Sequence, residues 1–524
     1  MEKVLVNLSL IFIFIYFYKI IRHGLHILQL ENYYLDRYAV WMKKNIKKVI
    51  NIKKIILLII PIICFLIINV EKLYFIAYII EILVFSYLIL KTKKPKEKKA
   101  FVVTARIKRV YATCLILIIV ATIFANIVEG KKVLIVLNIC AIFAYIFVYI
   151  VNLINKPIEH EIRKGFCKKA KKKLKEMPDL KVIGITGSYG KTSTKYVINT
   201  ILSQKYNTLM TPESYNTTMG VVRTINEKLT SLHQLFICEM GAKYIGDIKE
   251  ITDIVNPTYG VITAIGPQHL DTFKNLENVK KTKLELVDSL PENGIAFLNW
   301  EDENVRKSKI TKNVVKYGLT DDADYYATNI NVTERGSSFD VVIPEKDSIR
   351  IKTRLLGDLN VLNIVGAVAI ADKLGLSSDE IKSGVKFIRP VPHRLELKQN
   401  PNGSIIIDDA YNSNIKGAKM ALDVLKSFNH KKRILITPGI VELGNKAEEI
   451  NKDLGKHSAH SADYIILVGA QQTVPIYNGI IEEGFPDKQL YIAKNLQDAL
   501  SQMNRIITPD SVVLLENDLP DNYL

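Results

Sequence analysis

Long apolar runs fill the first third of this chain, and short apolar runs alternating with helical polar stretches fill the rest. Near 4–20, 55–70, 73–90, 110–128 and 133–154 the sequence is dominated by Ile, Leu, Phe, Val and Tyr. Each run approaches the ~20 residues a helix needs to cross a bilayer. The first has no small-residue cleavage site after it and four more runs follow, so it reads as an anchor rather than a signal peptide. Only Glu71-Lys72 separates the second run from the third, and Glu129 to Lys132 separates the fourth from the fifth. Both pairs read as hairpins, and five spans are expected.

From Leu180 onward the period changes. Candidate strands Val182–Thr186, Leu235–Met240, Tyr259–Ala264 and Gly294–Asn299 are separated by helical stretches. That alternation predicts a parallel sheet with helices on both faces. Between about 311 and 356 the pattern turns to short polar strands, and Gly357 opens a helix through Leu374. Pro390-Val391-Pro392 reads as a boundary, after which strand and helix alternate again. The expected organisation is α/β behind an all-α membrane region: 1–155 membrane, 156–178 a basic linker helix, 179–390 a central domain, 391–524 a second, Rossmann-like α/β domain.

The net charge of +18 would suggest nucleic acid if it were spread over a soluble surface. It is concentrated instead in three basic runs beside the apolar segments, which excludes that reading. Lys43 to Lys54, Lys91 to Arg109 and Arg163 to Lys173 hold these runs, while the two hairpin turns carry few charges. The positive-inside rule then puts the N-terminus outside and everything after about residue 155 in the cytoplasm of a multi-pass plasma-membrane protein. The basic 156–178 segment suits anionic headgroups or a solvated linker equally. Five cysteines without a C-x-x-C offer no zinc site or disulfide framework. Glu81 stands inside the third apolar run, where an acid either has a function or faces a neighbouring helix.

The chemistry concentrates at Ile185-Thr186-Gly187-Ser188-Tyr189-Gly190-Lys191-Thr192-Ser193. A strand, a Gly-rich turn and a helix N-terminus form a phosphate cradle: amides converge, the helix dipole favours an anion, and Lys191 adds a point charge. Thr192 is placed to hold a Mg²⁺ that bridges phosphates. The loop is a short G-x-x-G-K-T variant, since Ile185 stands where the usual P-loop has its first glycine. In a parallel sheet ligands bind at the carboxyl ends of strands. Glu239, His269 and Asn299 all follow apolar strands, and Glu239 is an oxygen donor suited to Mg²⁺.

These motifs resemble the Mur ligases, the ATP-dependent enzymes that build the peptidoglycan stem peptide, and look most like the branch that adds D-alanyl-D-alanine. The resemblance covers about 180–520 and rests on ordered motifs: Thr186 to Ser193, Asn216 to Gly220, Glu239-Met240-Gly241-Ala242, His269-Leu270-Asp271, Lys283, Asn299, Gly357 to Asn363, Arg394, Asp408 to Asn414, and Glu442-Leu443-Gly444. It implies ATP and Mg²⁺ as cofactors, with Gly187, Gly190, Lys191, Thr192, Ser193, Asn216, Asn299, Asn363, Arg394 and Asp409 on the nucleotide. It implies Lys191, His269, Lys283 and Arg394 in catalysis, and Thr192, Glu239, His269 and a carbamylated Lys283 as metal ligands. Tyr411, Asn412 and Asn414 would line the same loop. The implied reaction activates a carboxylate as an acyl phosphate for attack by an amine. The implied partners are a UDP-linked or lipid-linked cell-wall precursor, an amino acid or dipeptide amine, and membrane lipid, with no nucleic acid.

Three departures stand out. Members of this family begin with a small UDP-sugar-holding domain, and residues 1–178 offer spans and basic loops instead. Leu359 replaces a usual histidine and Ile415 a usual proline or valine. The missing domain leaves room for a lipid-linked acceptor, or for a relative of the membrane-attached poly-γ-glutamate synthases. A non-catalytic ATP-binding scaffold would leave the intact Lys191, Glu239, His269, Lys283 and Asp409 set unexplained. A transporter would do the same.

Overall fold

The computed structural model describes residues 2–31, 33–67, 74–92, 100–128, 131–213, 215–333, 336–410, 415–441, 443 and 446–517. The chain divides into two units, Met1–Lys164 and Gly165–Leu524.

The first unit is helical: α1 (Glu2–Leu30), α2 (Leu35–Lys44), α3 (Ile46–Val49), α4 (Ile52–Ile67), α5 (Tyr74–Lys91), α6 (Ala105–Val128), α7 (Lys131–Ile142) and α8 (Ala144–Lys175), the last running on into the second unit. Three segments are long and apolar enough to cross a membrane: Val4–Leu30, Ile46–Ile67 and Tyr74–Lys91. The stretch 110–128 falls on α6, most of whose side chains beyond 120 lie outside the described residues. The expected fifth span is not straight. Leu134–Ile142 and Ala144–Lys175 meet at 90°. Polar contacts tie the two halves to different helices. Asn138 of α7 donates from Nδ2 to Glu81 Oε1 at 2.7 Å, while Tyr145 of α8 is tied through its hydroxyl to His23 Nδ1 at 2.9 Å. Glu81 is thus buried against a neighbouring helix. Nor is 156–178 a separate linker helix, because α8 continues through it to Lys175. The hairpin turns and the basic 93–99 loop lie outside the described residues.

The second unit carries two sheets. The larger contains β1 (Lys181–Thr186), β2 (Thr208–Met210), β3 (Leu235–Glu239), β4 (Tyr259–Ile262), β5 (Ile295–Asn299), β6 (Asn313–Gly318), β7 (Tyr325–Thr333), β8 (Gly336–Ile343) and β9 (Lys346–Thr353), in the order β2-β3-β1-β4-β5-β6-β7-β8-β9. Pairing is parallel from β2 through β7 and antiparallel from β7 to β9. Strands β1, β3 and β4 are buried over nearly their whole length, as expected of a sheet covered on both faces. Crossovers are made by α9 (Lys191–Leu202), α10 (Thr218–Lys228), α11 (Asp247–Val255), α12 (Leu270–Phe273), α13 (Leu276–Asp288) and α14 (Glu303–Arg306); α15 (Asp358–Lys373) and α16 (Ser378–Lys386) follow. Helix α15 is apolar nearly all round because it is buried from Val361 to Ala371.

The smaller sheet holds β10 (Glu396–Gln399), β11 (Ile405–Asp409), β12 (Lys432–Thr437), β13 (Tyr464–Val468), β14 (Leu490–Ala493) and β15 (Ser511–Glu516), in the order β10-β11-β15-β12-β13-β14. It is parallel except for β10. Its helix α17 (Ile415–Ser427) packs towards the larger sheet's domain. A Cβ on Gly357 would lie 3.2 Å from Met420 Sδ, and Leu356 joins the apolar cluster built on Ala418, Ala421 and Leu422.

Candidate active site

The sheet order fixes the site. Strand β1 lies between β3 and β4, so the loop after β1 is flanked by the ends of both. Gly187 turns the chain at φ 154°, and an alanine Cβ there would fall 2.1 Å from Thr263 Oγ1. Thr263, just past β4, donates its hydroxyl to Tyr189 O, and Ser188 N donates to Ala264 O at 2.8 Å. The β4 end thus clamps the cradle. Gly190 caps α9 in the left-handed region, φ 79°, which a side chain rarely adopts. Lys191 donates to Gly187 O at 2.5 Å and Ser188 O at 3.3 Å. Burial pushes its pKa down to about 8; Glu239 opposes that shift and Arg394 adds to it.

Glu239, buried at the end of β3, gathers the polar groups. Its Oε1 accepts from Thr192 Oγ1 at 3.1 Å and from Asn216 Nδ2 at 3.0 Å. Asn216 is held in turn by Gly241 N, which donates to its backbone oxygen at 2.7 Å. Oε2 lies 3.0 Å from Lys195 Nζ, both side chains being buried, yet it accepts no well-formed hydrogen bond. Burial pushes the Glu239 pKa up, but the Lys195 and Lys191 charges and the Asn216 hydrogen bond outweigh it and hold the carboxyl below its ordinary range. The Glu239 carboxylate, with Oε1 on the Thr192 hydroxyl and Oε2 short of a hydrogen bond, offers with that hydroxyl the hard oxygen donors that fit Mg²⁺.

Lys195 is the residue that sequence reasoning missed. A lysine on a helix reads as solvent-facing, yet this one is fully buried and also donates to Glu213 O at 2.5 Å. Its only sequence signal is its place one turn after Lys191, on the buried face of α9 with Thr194 and Ile198.

The remaining expected residues spread around this centre. Asn363 accepts from Thr194 Oγ1 at 2.9 Å, which brings α15 against the cradle. Ser193 lies half-buried on α9. Asn299 closes β5 with both ends of its amide engaged, donating to Thr263 O at 2.6 Å and accepting from Glu301 N at 3.0 Å. His269 caps α12 in a left-handed conformation, φ 51°. Lys283 is buried on α13, and burial together with the Lys191 charge lowers its pKa well below the usual value.

Arg394 comes from the smaller-sheet domain. It sits between His393 (φ 60°) and Leu395 (φ 46°), two strained non-glycine residues. Its charge reaches both Lys191 and Asp409. Asp409 accepts from Leu395 N at 3.1 Å; burial pushes its pKa up to about 6 against Leu395 N and Arg394. Lys416 of α17 reaches the buried Asp302 at 3.0 Å and ties the two domains together. Tyr411, Asn412, Asn414, Glu442, Gly444 and the Asp271 side chain lie outside the described residues.

Residues 185–371 match the Mur ligase middle domain, and residues 393–516 match the Mur ligase glutamate ligase domain. The UDP-N-acetylmuramoyl-tripeptide–D-alanyl-D-alanine ligase of Escherichia coli (strain K12) is 31% identical over 319 residues, 60% of this chain and 70% of that protein. The enzyme of the same name from Haemophilus influenzae is 29% identical over 344 residues, covering 64% and 74%. A crystal structure of MurF from Acinetobacter baumannii superposes with TM-score 0.62 at 28% identity, covering 68% of this chain and 77% of that one.

Proposed function

Because this chain belongs to the Mur ligase family, we propose that it joins D-alanyl-D-alanine to the carboxylate of a muramoyl-tripeptide using ATP. It is an ATP-dependent peptide ligase, and relatives named for this reaction cover most of the second unit. The observation that carries the reading is the Lys191–Thr192–Glu239 cluster at the carboxyl ends of β1 and β3.

A carboxylate is a poor acyl donor because an oxide would have to leave. In the proposed reaction its oxygen attacks the terminal phosphorus of ATP, ADP departs, and an acyl phosphate results. The amine then attacks the acyl carbon, phosphate leaves with the former carboxylate oxygen, and the nitrogen gives up a proton. ATP and Mg²⁺ supply the transferable phosphoryl group and the charge that neutralises it. Gly187 and Gly190 shape the cradle, and Lys191 steadies charge on the terminal phosphates. Thr192 and Glu239 would hold Mg²⁺, with His269 and a carbamylated Lys283 as further ligands. Lys195 fixes the Glu239 carboxylate, and Asn216 orients it. Asn299 braces β4, while Asn363, Arg394 and Asp409 bracket the nucleotide. Closure of the smaller-sheet domain excludes the water that would hydrolyse the acyl phosphate.

The membrane reading belongs to this proposal. The apolar helices hold the ligase unit on the cytoplasmic side of the membrane, with the N-terminus outside; three of them are long enough to span, and the basic runs beside them support the orientation. The test is product mass after incubating the detergent-purified chain with ATP, D-alanyl-D-alanine and UDP-linked or lipid-linked tripeptide. A dipeptide-sized mass gain that Lys191→Ala abolishes is expected. ATP binding without that product from either acceptor would overturn the assignment.

A further inference from the structure

Two small adjoining clefts, open to the surface, lie in the helical unit where α7 turns sharply into α8. They share Val49, Ile55, Ile142 and Tyr145 and form one groove. One end is cationic and polar, with Lys48, Asn51 and Lys54. The floor is apolar, with Leu58 and Ala141 beside the shared residues. Among the described residues no acid lines either cleft, and no carboxylate pairs with Lys48 or Lys54. Lys54 is nevertheless half-buried, and a charge drawn out of water needs an anion.

The surroundings set the depth. The Trp41 ring stacks near Tyr38 at 5.9 Å and tilts on Tyr145 at 5.8 Å. Clustered Trp and Tyr rings mark the headgroup level of a bilayer. Beyond the groove, α4 continues outward with exposed Ile56, Ile59, Ile63 and Ile67 along one side. An anion bound at Lys48 and Lys54 therefore has a hydrocarbon track leading from it. A soluble phosphate would use the lysines but not the track, and a neutral lipid the track but not the lysines.

We propose that this groove binds the phosphate end of a membrane-embedded long-chain lipid phosphate that carries the acceptor of the ligation. The proposal rests on the ligase reading for the acceptor's identity, and on the groove alone for the lipid. It gives the membrane unit the substrate-holding task for which residues 1–178 offer no UDP-sugar domain.

The test uses the full chain in phosphatidylcholine nanodiscs, titrated with a photoreactive polyprenyl diphosphate. Cross-links are expected on α4 and α7. Lys48→Ala/Lys54→Ala should weaken binding roughly 25-fold, at about a factor of five per lysine beside an anionic lipid. Lys43→Ala/Lys44→Ala, the same charge loss on α2, should leave binding within about twofold, and ATP binding by each variant checks folding. Equal losses in both double variants would reduce the groove to general surface charge and overturn the proposal. So would competition by inorganic diphosphate as strong as by the lipid, or equal labelling by phosphatidic acid. Ligation of a soluble tripeptide on the same preparation separates the two readings. Lipid binding lost with ligation intact sinks the groove alone; ligation absent with lipid binding intact sinks the ligase reading alone.

Discussion

Replacing Lys195 with methionine tests whether the Lys195–Glu239 pair organises the site. The two side chains are buried and 3.0 Å apart. Methionine fills most of the volume, so the loss is electrostatic: Glu239 Oε2 keeps no cation in contact, and Glu213 O loses its donor. Breaking a buried pair from one side costs about 3–5 kcal/mol. The Lys191 charge and the Asn216 hydrogen bond remain on Glu239, which puts the expectation at the low end, about 3 kcal/mol. At about 2–3 °C per kcal/mol for a unit of this size, the thermal midpoint should fall by roughly 6–9 °C. The assay is calorimetry of the full chain without nucleotide, extended to Lys195→Met/Glu239→Gln. Removing both charges should recover most of the loss, since neighbours in one buried network do not add. A single variant within about 1 kcal/mol of the parent, or a double variant no better than the sum of the singles, would refute the reasoning.

Three further outcomes follow from the same geometry. Gly187→Ala should abolish ATP binding measured by calorimetry, because its Cβ would fall 2.1 Å from Thr263 Oγ1 and 2.9 Å from Ala264 N; unchanged affinity would mean the clamp by β4 is not needed. Asp409, raised from 3.8 to about 6 in the fold, holds its proton more tightly folded than unfolded, so its contribution is present below pH 3.8 and lost as pH rises through about 6. Asp409→Asn should therefore gain thermal stability over the parent above about pH 6, with the gap closing towards pH 4.5, in midpoints taken across that range. Lys416→Met removes the half-exposed partner of the buried Asp302; it should cost about 1–3 kcal/mol of stability while raising KM for ATP more than it lowers kcat, in steady-state phosphate release.

Much of this site was legible because its pieces are local. Lys191 to Leu202 forms the expected helix, and the cradle occupies the turn before it. The strand ends bearing Glu239 and Asn299 match to within a residue. What escaped depends on contacts between distant parts of the chain. Strand β2, Thr208–Met210, is three residues long and owes its existence to pairing with β3. Lys195 looked like surface because composition does not say which face of α9 meets Glu239. The bend between α7 and α8 is invisible in hydropathy, since an apolar run carries no direction; Glu81 and His23, far off in sequence, pin its two halves. The strained backbone around Arg394 likewise follows from Asp409 gripping Leu395 N.

The central claim is that the cradle activates a carboxylate by phosphorylating it. The most direct measurement uses muramoyl-tripeptide labelled with ¹⁸O in its terminal carboxylate, together with ATP, Mg²⁺ and D-alanyl-D-alanine, and reads the isotope in the released phosphate by mass spectrometry. Transfer of one labelled oxygen per amide formed, lost with Lys191→Ala, is the result this account predicts. Unlabelled phosphate released alongside amide product would contradict it.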